Sequence, residues 1–249
     1  MPSRVSFARR ILSITALLLV IPIGVSAVVT QATGPGENWW GADRSSVGLL
    51  PAPAAHPGAI VRVLAARTVR WRGIFADHCW IVFKPPGAAV YTRYDYTAWG
   101  EPIRRNGFEP DGRWFGRDPH VVFAADGDAA AALIPAIEAA VRDYPLRHVG
   151  DYRAWPGPNS NTFVAAVMAA AGAQGLVLPP TAIGKDYPHD GRWVALTGSG
   201  VRVTLGGYGG LALGWAEGIE VSILGAVIGL DIRRPALKLP GIGRIGLSP

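Results

Sequence analysis

The most constraining stretch of this chain is Trp155-Pro156-Gly157-Pro158-Asn159-Ser160-Asn161-Thr162-Phe163, together with the alanine-rich run that follows it. Proline and glycine hold the approach extended, and a helix must then begin at the asparagine-flanked serine. Val164 to Ala171 carries no breaker until Gly172. A polar side chain is thus set at the positive end of a helix dipole, where a nucleophile can be activated. Capping of the same helix by Ser160 or Asn159, worth ~1 kcal/mol, accounts for these residues without any chemistry.

The rest of the composition favours short strands, turns and loops, because 249 residues include 32 glycines and 21 prolines. A hydrophobic fraction of 49% against 17% charged is enough for a sizeable core and excludes a disordered chain. The net charge of +6 is spread out with no polybasic block, which argues against nucleic acid as a partner and for a weak attraction to anionic membrane surfaces. Cys79 is the single cysteine, so no intramolecular disulfide and no cysteine-rich zinc site can form. No phosphate-cradling glycine loop ending in Lys-Ser/Thr and no His-Glu-x-x-His pattern is present; neither cofactor nor metal is expected.

Arg4, Arg9 and Arg10 precede an uncharged apolar run from Ile11 to Val29, the pattern of an export signal. At ~1.5 Å per residue the run is also nearly long enough to cross a ~30 Å hydrocarbon core. Pro22 and Gly24 weaken its second half as a helix. A cleaved signal and a retained anchor both fit. In either case the arginines stay on the cytoplasmic side and the rest of the chain is exported, to the periplasm or to the outer face of the inner membrane. The expected organisation is a leader over residues 1–30, a Gly/Pro/Ser/Ala-rich linker over 31–58, and a single α+β domain over 59–249. Trp39-Trp40 suit either a membrane interface or a tuck against that domain.

Within the domain, Ile60–Ala66 reads as a strand, and His78–Lys84, closed by Pro85-Pro86-Gly87, as another. Ala88–Trp99 follows as its hairpin partner. Alternation puts His78, Trp80 and Val82 on one face and Cys79, Ile81 and Phe83 on the other, so Cys79 is a small core residue. Glu101–Pro119 reads as a polar loop and His120–Ala124 as a short strand. A helix from about Ala129 to Arg142 is capped by Asp126 or Asp128, with Pro135 expected to kink it. The apolar segment Ile219–Ile232 is too short to span a bilayer and suits a hairpin or a pair of short buried strands.

Nucleophilic catalysis needs a hydroxyl or thiol, a base, a group that orients the base, and donors for an oxyanion. Ser160 supplies the first, His78 is the best placed of the five histidines to be the base, and Asp95 on the next strand is the candidate to orient it. Asn159 and Asn161 are candidate amide donors to a bound carbonyl, and Trp80 a candidate binding residue.

His78-Cys79-Trp80-Ile81 followed much later by Asn159-Ser160-Asn161-Thr162-Phe163 resembles the circularly permuted papain-like hydrolases, a group that includes relatives of the NlpC/P60 peptidases and of lecithin–retinol acyltransferase. Here serine stands in the cysteine position. The stretch from about Arg62 to Gly243, with Pro-Gly-Pro-Asn-Ser-Asn-Thr-Phe and the tail Arg233-Arg234-Pro235-Ala236-Leu237-Lys238-Leu239-Pro240-Gly241, more closely resembles a bacterial family catalogued as domain of unknown function 3750. The resemblance implies an antiparallel sheet packed against two helices. The papain-like part of it implies an amide or ester hydrolase or acyltransferase acting on an envelope peptide or lipid, with Ser160 as nucleophile. The alternative is a non-catalytic envelope protein that binds peptide or lipid in a degenerate groove.

Overall fold

A computed structural model of the chain describes residues 4–34, 40–197 and 199–247. It is an α+β fold with two antiparallel sheets rather than the one expected. The first sheet has strand order β4-β3-β2-β1-β5, built from β1 (Ile60–Arg67), β2 (Asp77–Lys84), β3 (Thr92–Tyr96), β4 (Ile103–Arg105) and β5 (His120–Asp126). Every pairing is antiparallel. The period-two pattern of β2 sorts its side chains as the sequence requires. Cys79, Ile81 and Phe83 pack beneath two helices, while Trp80 and Val82 pack against Trp114 and Phe115 of the loop between β4 and β5. Both faces of β2 are therefore buried.

The two helices are α3 (Gly127–Arg142) and α4 (Ser160–Ala170), which share one core with β1 and β2 through Ile134, Ile137, Val141, Phe163 and Val167. The helix α3 runs on through Pro135, which lies inside it. Asp126 occupies its N-cap position but makes no side-chain cap bond, because its carboxylate is paired with Arg62 at 2.7 Å.

At the N-terminus α1 (Arg4–Thr15), a π-helical segment (Ala16–Val20) and α2 (Ile21–Ala32) follow one another without a break. Pro22 falls in the first turn of α2, directly after the wider π turn, where its missing N–H costs least. Arg9–Ala32 forms 24 helical residues that hold an 18-residue window of mean hydropathy 2.5, long and apolar enough to cross a membrane. One flank is seated on the domain, where the Ser26 hydroxyl donates between the carbonyls of Ile74 (2.6 Å) and Gly241 (2.9 Å). The linker that follows is irregular but fastened. Asp111 accepts from the Ser46 hydroxyl and from the backbone N–H groups of Leu49 and Leu50, and Tyr91 donates to the Pro51 carbonyl. Trp40 is exposed, and Trp39 lies outside the described residues.

The second sheet is a seven-stranded meander of β6 (Val194–Leu196), β7 (Gly200–Thr204), β8 (Gly209–Gly214), β9 (Gly218–Ile223), β10 (Ala226–Asp231), β11 (Ala236–Leu239) and β12 (Gly243–Gly246). The segment Ile219–Ile232 is a hairpin, with Leu224 and Gly225 both at positive φ (52° and 86°) in its two-residue turn. Its strands are buried on one face. Successive residues face opposite ways, and the apolar set points out. One row across the sheet reads Arg202, Ala212, Glu220, Gly229, Lys238, Arg244 on the inner face. The neighbouring row reads Val201, Leu213, Ile219, Leu230, Leu237, Ile245 on the outer face. The last five of these are 37% to 53% exposed, so no layer of the described residues closes over this face.

Candidate functional site

A cavity of about 420 Å³ lies where β2 and α4 both begin and α2 passes by. Its wall is mostly apolar, with Ile23, Trp71, Phe75, Trp155 and Leu224, and carries His78, Asp77 and Ser160 among its polar groups. The opening exists because β3 pairs with β2 only along Ile81–Phe83. Short of that, the Asn161 side chain replaces a strand. Its Oδ1 accepts from the Cys79 N–H (3.1 Å), while its Nδ2 donates to the carbonyls of Asp77 (3.0 Å) and Ile183 (2.8 Å). One amide thus satisfies the edge of β2 and pins the first turn of α4 against it.

Asn159, not Ser160, caps α4. Asn159 Oδ1 accepts from the N–H groups of Asn161 and Thr162, and the Thr162 hydroxyl accepts from the Asn159 N–H to close a capping box. Its Nδ2 donates to the carbonyls of Ala154 and Ile183. Gly184 allows this approach: its φ is +87°, and a Cβ there would lie 2.3 Å from Asn159 Nδ2. The approach segment itself is not simply extended, since the Trp155–Pro156 and Gly157–Pro158 peptides are cis. Both asparagine amides are consequently occupied by backbone groups. Ser160 is left as the first helical residue, buried, on the cavity wall, with no hydrogen-bond partner for its Oγ among the described residues.

His78 is fixed from the other side. Its Nε2 lies 3.0 Å from Asp95 Oδ1, and Asp95 is gripped by Arg93 through both carboxylate oxygens (2.7 and 2.9 Å). The imidazole stacks on Trp114 at 3.6 Å between ring centroids and an interplanar angle of 6°. The Arg93 guanidinium lies over Trp80, 4.1 Å from its centroid. Burial alone would raise the Asp95 carboxyl, but the Arg93 charge and the hydrogen bonds from His78 and Arg93 outweigh it and hold its pKa at about 2. For His78, burial is the largest influence and pushes the pKa below the ordinary 6.5, with Asp95 pulling it up and Arg93 pushing it further down. An ionised Asp95 only accepts, so Nε2 must carry the proton and Nδ1 the lone pair. Nδ1 has no hydrogen-bond partner among the described residues, and the ring lines the cavity.

The structure therefore brings His78 and Asp95 into contact and puts His78 and Ser160 on one cavity. No hydrogen bond joins His78 to Ser160 among the described residues. Trp80 stands apart from the cavity: it is fully buried, donates its Nε1–H to the Pro110 carbonyl and supports Arg93. Cys79 lies in the core, where burial raises its thiol pKa well above the ordinary range. Arg93 and Trp114 are the functional-looking residues that sequence reasoning missed. Arg93 shares a strand face with Asp95 two residues away, a signal that was readable; Trp114 comes from an irregular loop and gave none.

A larger cavity of about 610 Å³ separates the alanine side of α4 from the inner face of the second sheet. Its buried charges are matched among themselves. Glu220 takes Lys185 Nζ and Lys238 Nζ on separate oxygens, each at 2.5 Å. Burial opposes both charged forms, yet the pairing lowers the Glu220 pKa and raises that of Lys185. His189 also lines this space, with burial pushing its pKa below the ordinary 6.5, but among the described residues no carboxylate is hydrogen-bonded to its ring as Asp95 is to that of His78. No group of three metal-ligating side chains occurs among the described residues either.

Comparison with curated proteins and with solved structures finds no match to the chain. A family match covers residues 58–187, which contains His78, Arg93, Asp95, Trp114 and Ser160 and stops short of the second sheet, so the resemblance expected as far as Gly243 holds only to Tyr187. By that match the chain belongs to the family described as protein of unknown function DUF3750.

Proposed function

We propose that this cavity is an acyl-transfer site, making the chain an exported amide or ester hydrolase or acyltransferase of the cell envelope. The observation that carries the reading is the division of labour around Ser160. Asn159 does the capping, and the Asp95–Arg93 pair holds His78 through Nε2, which leaves Nδ1 without a partner among the described residues on a ring that lines the same cavity as Ser160. In this scheme Nδ1 takes the Ser160 proton as Oγ attacks the acyl carbon. The same nitrogen returns that proton to the departing amine or alcohol, and water releases the acyl group by the reverse sequence. Asn159 takes the N–H groups of Asn161, Thr162 and Phe163, which leaves the Ser160 N–H as the first-turn donor for the oxyanion. Order along the chain, histidine strand before nucleophile helix, is that of the permuted papain-like hydrolases, with serine in the cysteine position. The apolar wall suits the acyl or lipid part of an envelope substrate better than a charged peptide.

One observation favours the second reading, a non-catalytic groove for peptide or lipid: Ser160 and His78 are not hydrogen-bonded to each other among the described residues. A serine-directed covalent probe separates the two. Acyl transfer requires labelling of the full chain at Ser160 that disappears in Ser160→Ala and in His78→Ala. Labelling that survives both substitutions, or none in the unaltered protein, rejects the catalytic reading.

A further inference from the structure

The outer face of the seven-stranded sheet is apolar from edge to edge. Val201 pairs with Leu213, Leu213 with Ile219, Ile219 with Leu230, Leu230 with Leu237 and Leu237 with Ile245. Those five inter-strand steps, at ~4.8 Å each, make an aliphatic row about 24 Å across. A second row, Val203–Leu211–Val221–Ile228, runs beside it. Neither row contains an ionisable or hydrogen-bonding side chain, while the inner face beneath them holds Arg202, Glu220, Lys238 and Arg244. Single exposed leucines need no explanation, but a continuous face of this extent marks a contact surface.

Two features identify the occupant. The crossing-length apolar helix adjoins this sheet: its π-helical segment lies against β10, and Ser26 is bonded to Gly241 in the β11–β12 turn. The helix residues Leu17, Val20, Ile21 and Val25 are themselves exposed. A bilayer that receives the helix must also meet the flank of the sheet. The charge pattern agrees, because the turns at one end of the strands carry Arg233, Arg234 and an exposed Trp215, the residue types that sit at a headgroup layer, on a chain of net charge +6. Protein interfaces are usually only slightly more apolar than the surface at large and carry hydrogen-bonding side chains, which these rows lack.

We infer that the outer face of this sheet rests in the hydrocarbon of a lipid bilayer, alongside the N-terminal helix, with Arg233 and Arg234 at the headgroups. Such seating brings the cavity wall formed by Ile23 and Leu224 to the membrane surface. The proposal stands whether or not Ser160 is a nucleophile.

The test uses the full chain in phosphatidylethanolamine–phosphatidylglycerol vesicles, with an environment-sensitive fluorophore on Leu213→Cys or Leu237→Cys. Glu138→Cys, on the exposed side of α3, is the control; Cys79 is buried and does not compete for label. Labels at 213 and 237 are expected to emit at shorter wavelength and to lose most of their emission to acyl-brominated lipid, while the control responds only to aqueous iodide. Iodide access at 213 and 237 equal to that of the control overturns the proposal. So does shielding from both quenchers with energy transfer between labelled copies, which would assign the face to a second copy of the chain.

Discussion

The two sheets of this protein solve the same problem in opposite ways. In the five-stranded sheet, β2 is buried on both faces, with helices over Cys79, Ile81 and Phe83 and an aromatic loop over Trp80 and Val82. Its polar groups appear at one end, where the strand pairing gives out and His78 meets the cavity. In the seven-stranded sheet the charges lie beneath and the aliphatic side chains outside. A core that faces outward implies that something other than the chain's own elements completes it. The first sheet is sealed by the protein; the second awaits a surface.

The largest effect that could break this contrast belongs to the buried charges. Glu220→Gln leaves the Lys185 and Lys238 ammonium groups without their counter-charge, and a loss of about 3–5 kcal/mol in denaturant unfolding is expected. A loss below about 1 kcal/mol would mean that water reaches the triad and that the inner face is not sealed. A matched pair of truncations comes next. Ile81→Ala in β2 should cost about 2–5 kcal/mol, through lost burial and the cavity left behind. Leu213→Ala in β8, measured in detergent, should cost less than about 1 kcal/mol, because its side chain is 42% exposed on the outer face. Equal costs at the two positions would erase the distinction between the sheets.

Much of the first sheet was legible in the sequence. The alternation from His78 to Phe83, the stop at Pro85-Pro86-Gly87 and the helix start at Asn159 each rest on local rules that the tertiary structure did not override. Pro135 lies inside α3, where packing on β1 and α4 supports the helix on both sides of it. The seven-stranded meander was hidden for a different reason. Alternation tells which residues share a face, but assigning the apolar face to the interior assumes water outside. Lys185, Glu220 and Lys238, spread over 53 residues of sequence, satisfy one another underneath and reverse that assignment. At the site, Ser160, His78 and Asp95 could be named from residue type and position. Arg93's grip on Asp95 and the stacking of Trp114 on His78 depend on side-chain geometry and on a loop without periodicity. Which asparagine caps the helix also required coordinates, since Asn159 and Ser160 are equally good caps on paper.

The claim on which the functional reading turns is that the buried Asp95–Arg93 pair holds His78 as a neutral base with Nδ1 free. Nitrogen-15 NMR of the imidazole, followed through an acid titration, tests it most directly. Because burial lowers the folded pKa below 6.5, the contribution of His78 to stability is complete above that value and is lost as the pH falls towards the folded one. The account predicts a neutral ring at pH 7 (~0.5 units above the ordinary value), protonated at Nε2, with the Nε2 proton disappearing as a fixed donor in Asp95→Asn. A ring already charged at that pH, or one protonated at Nδ1, would contradict it.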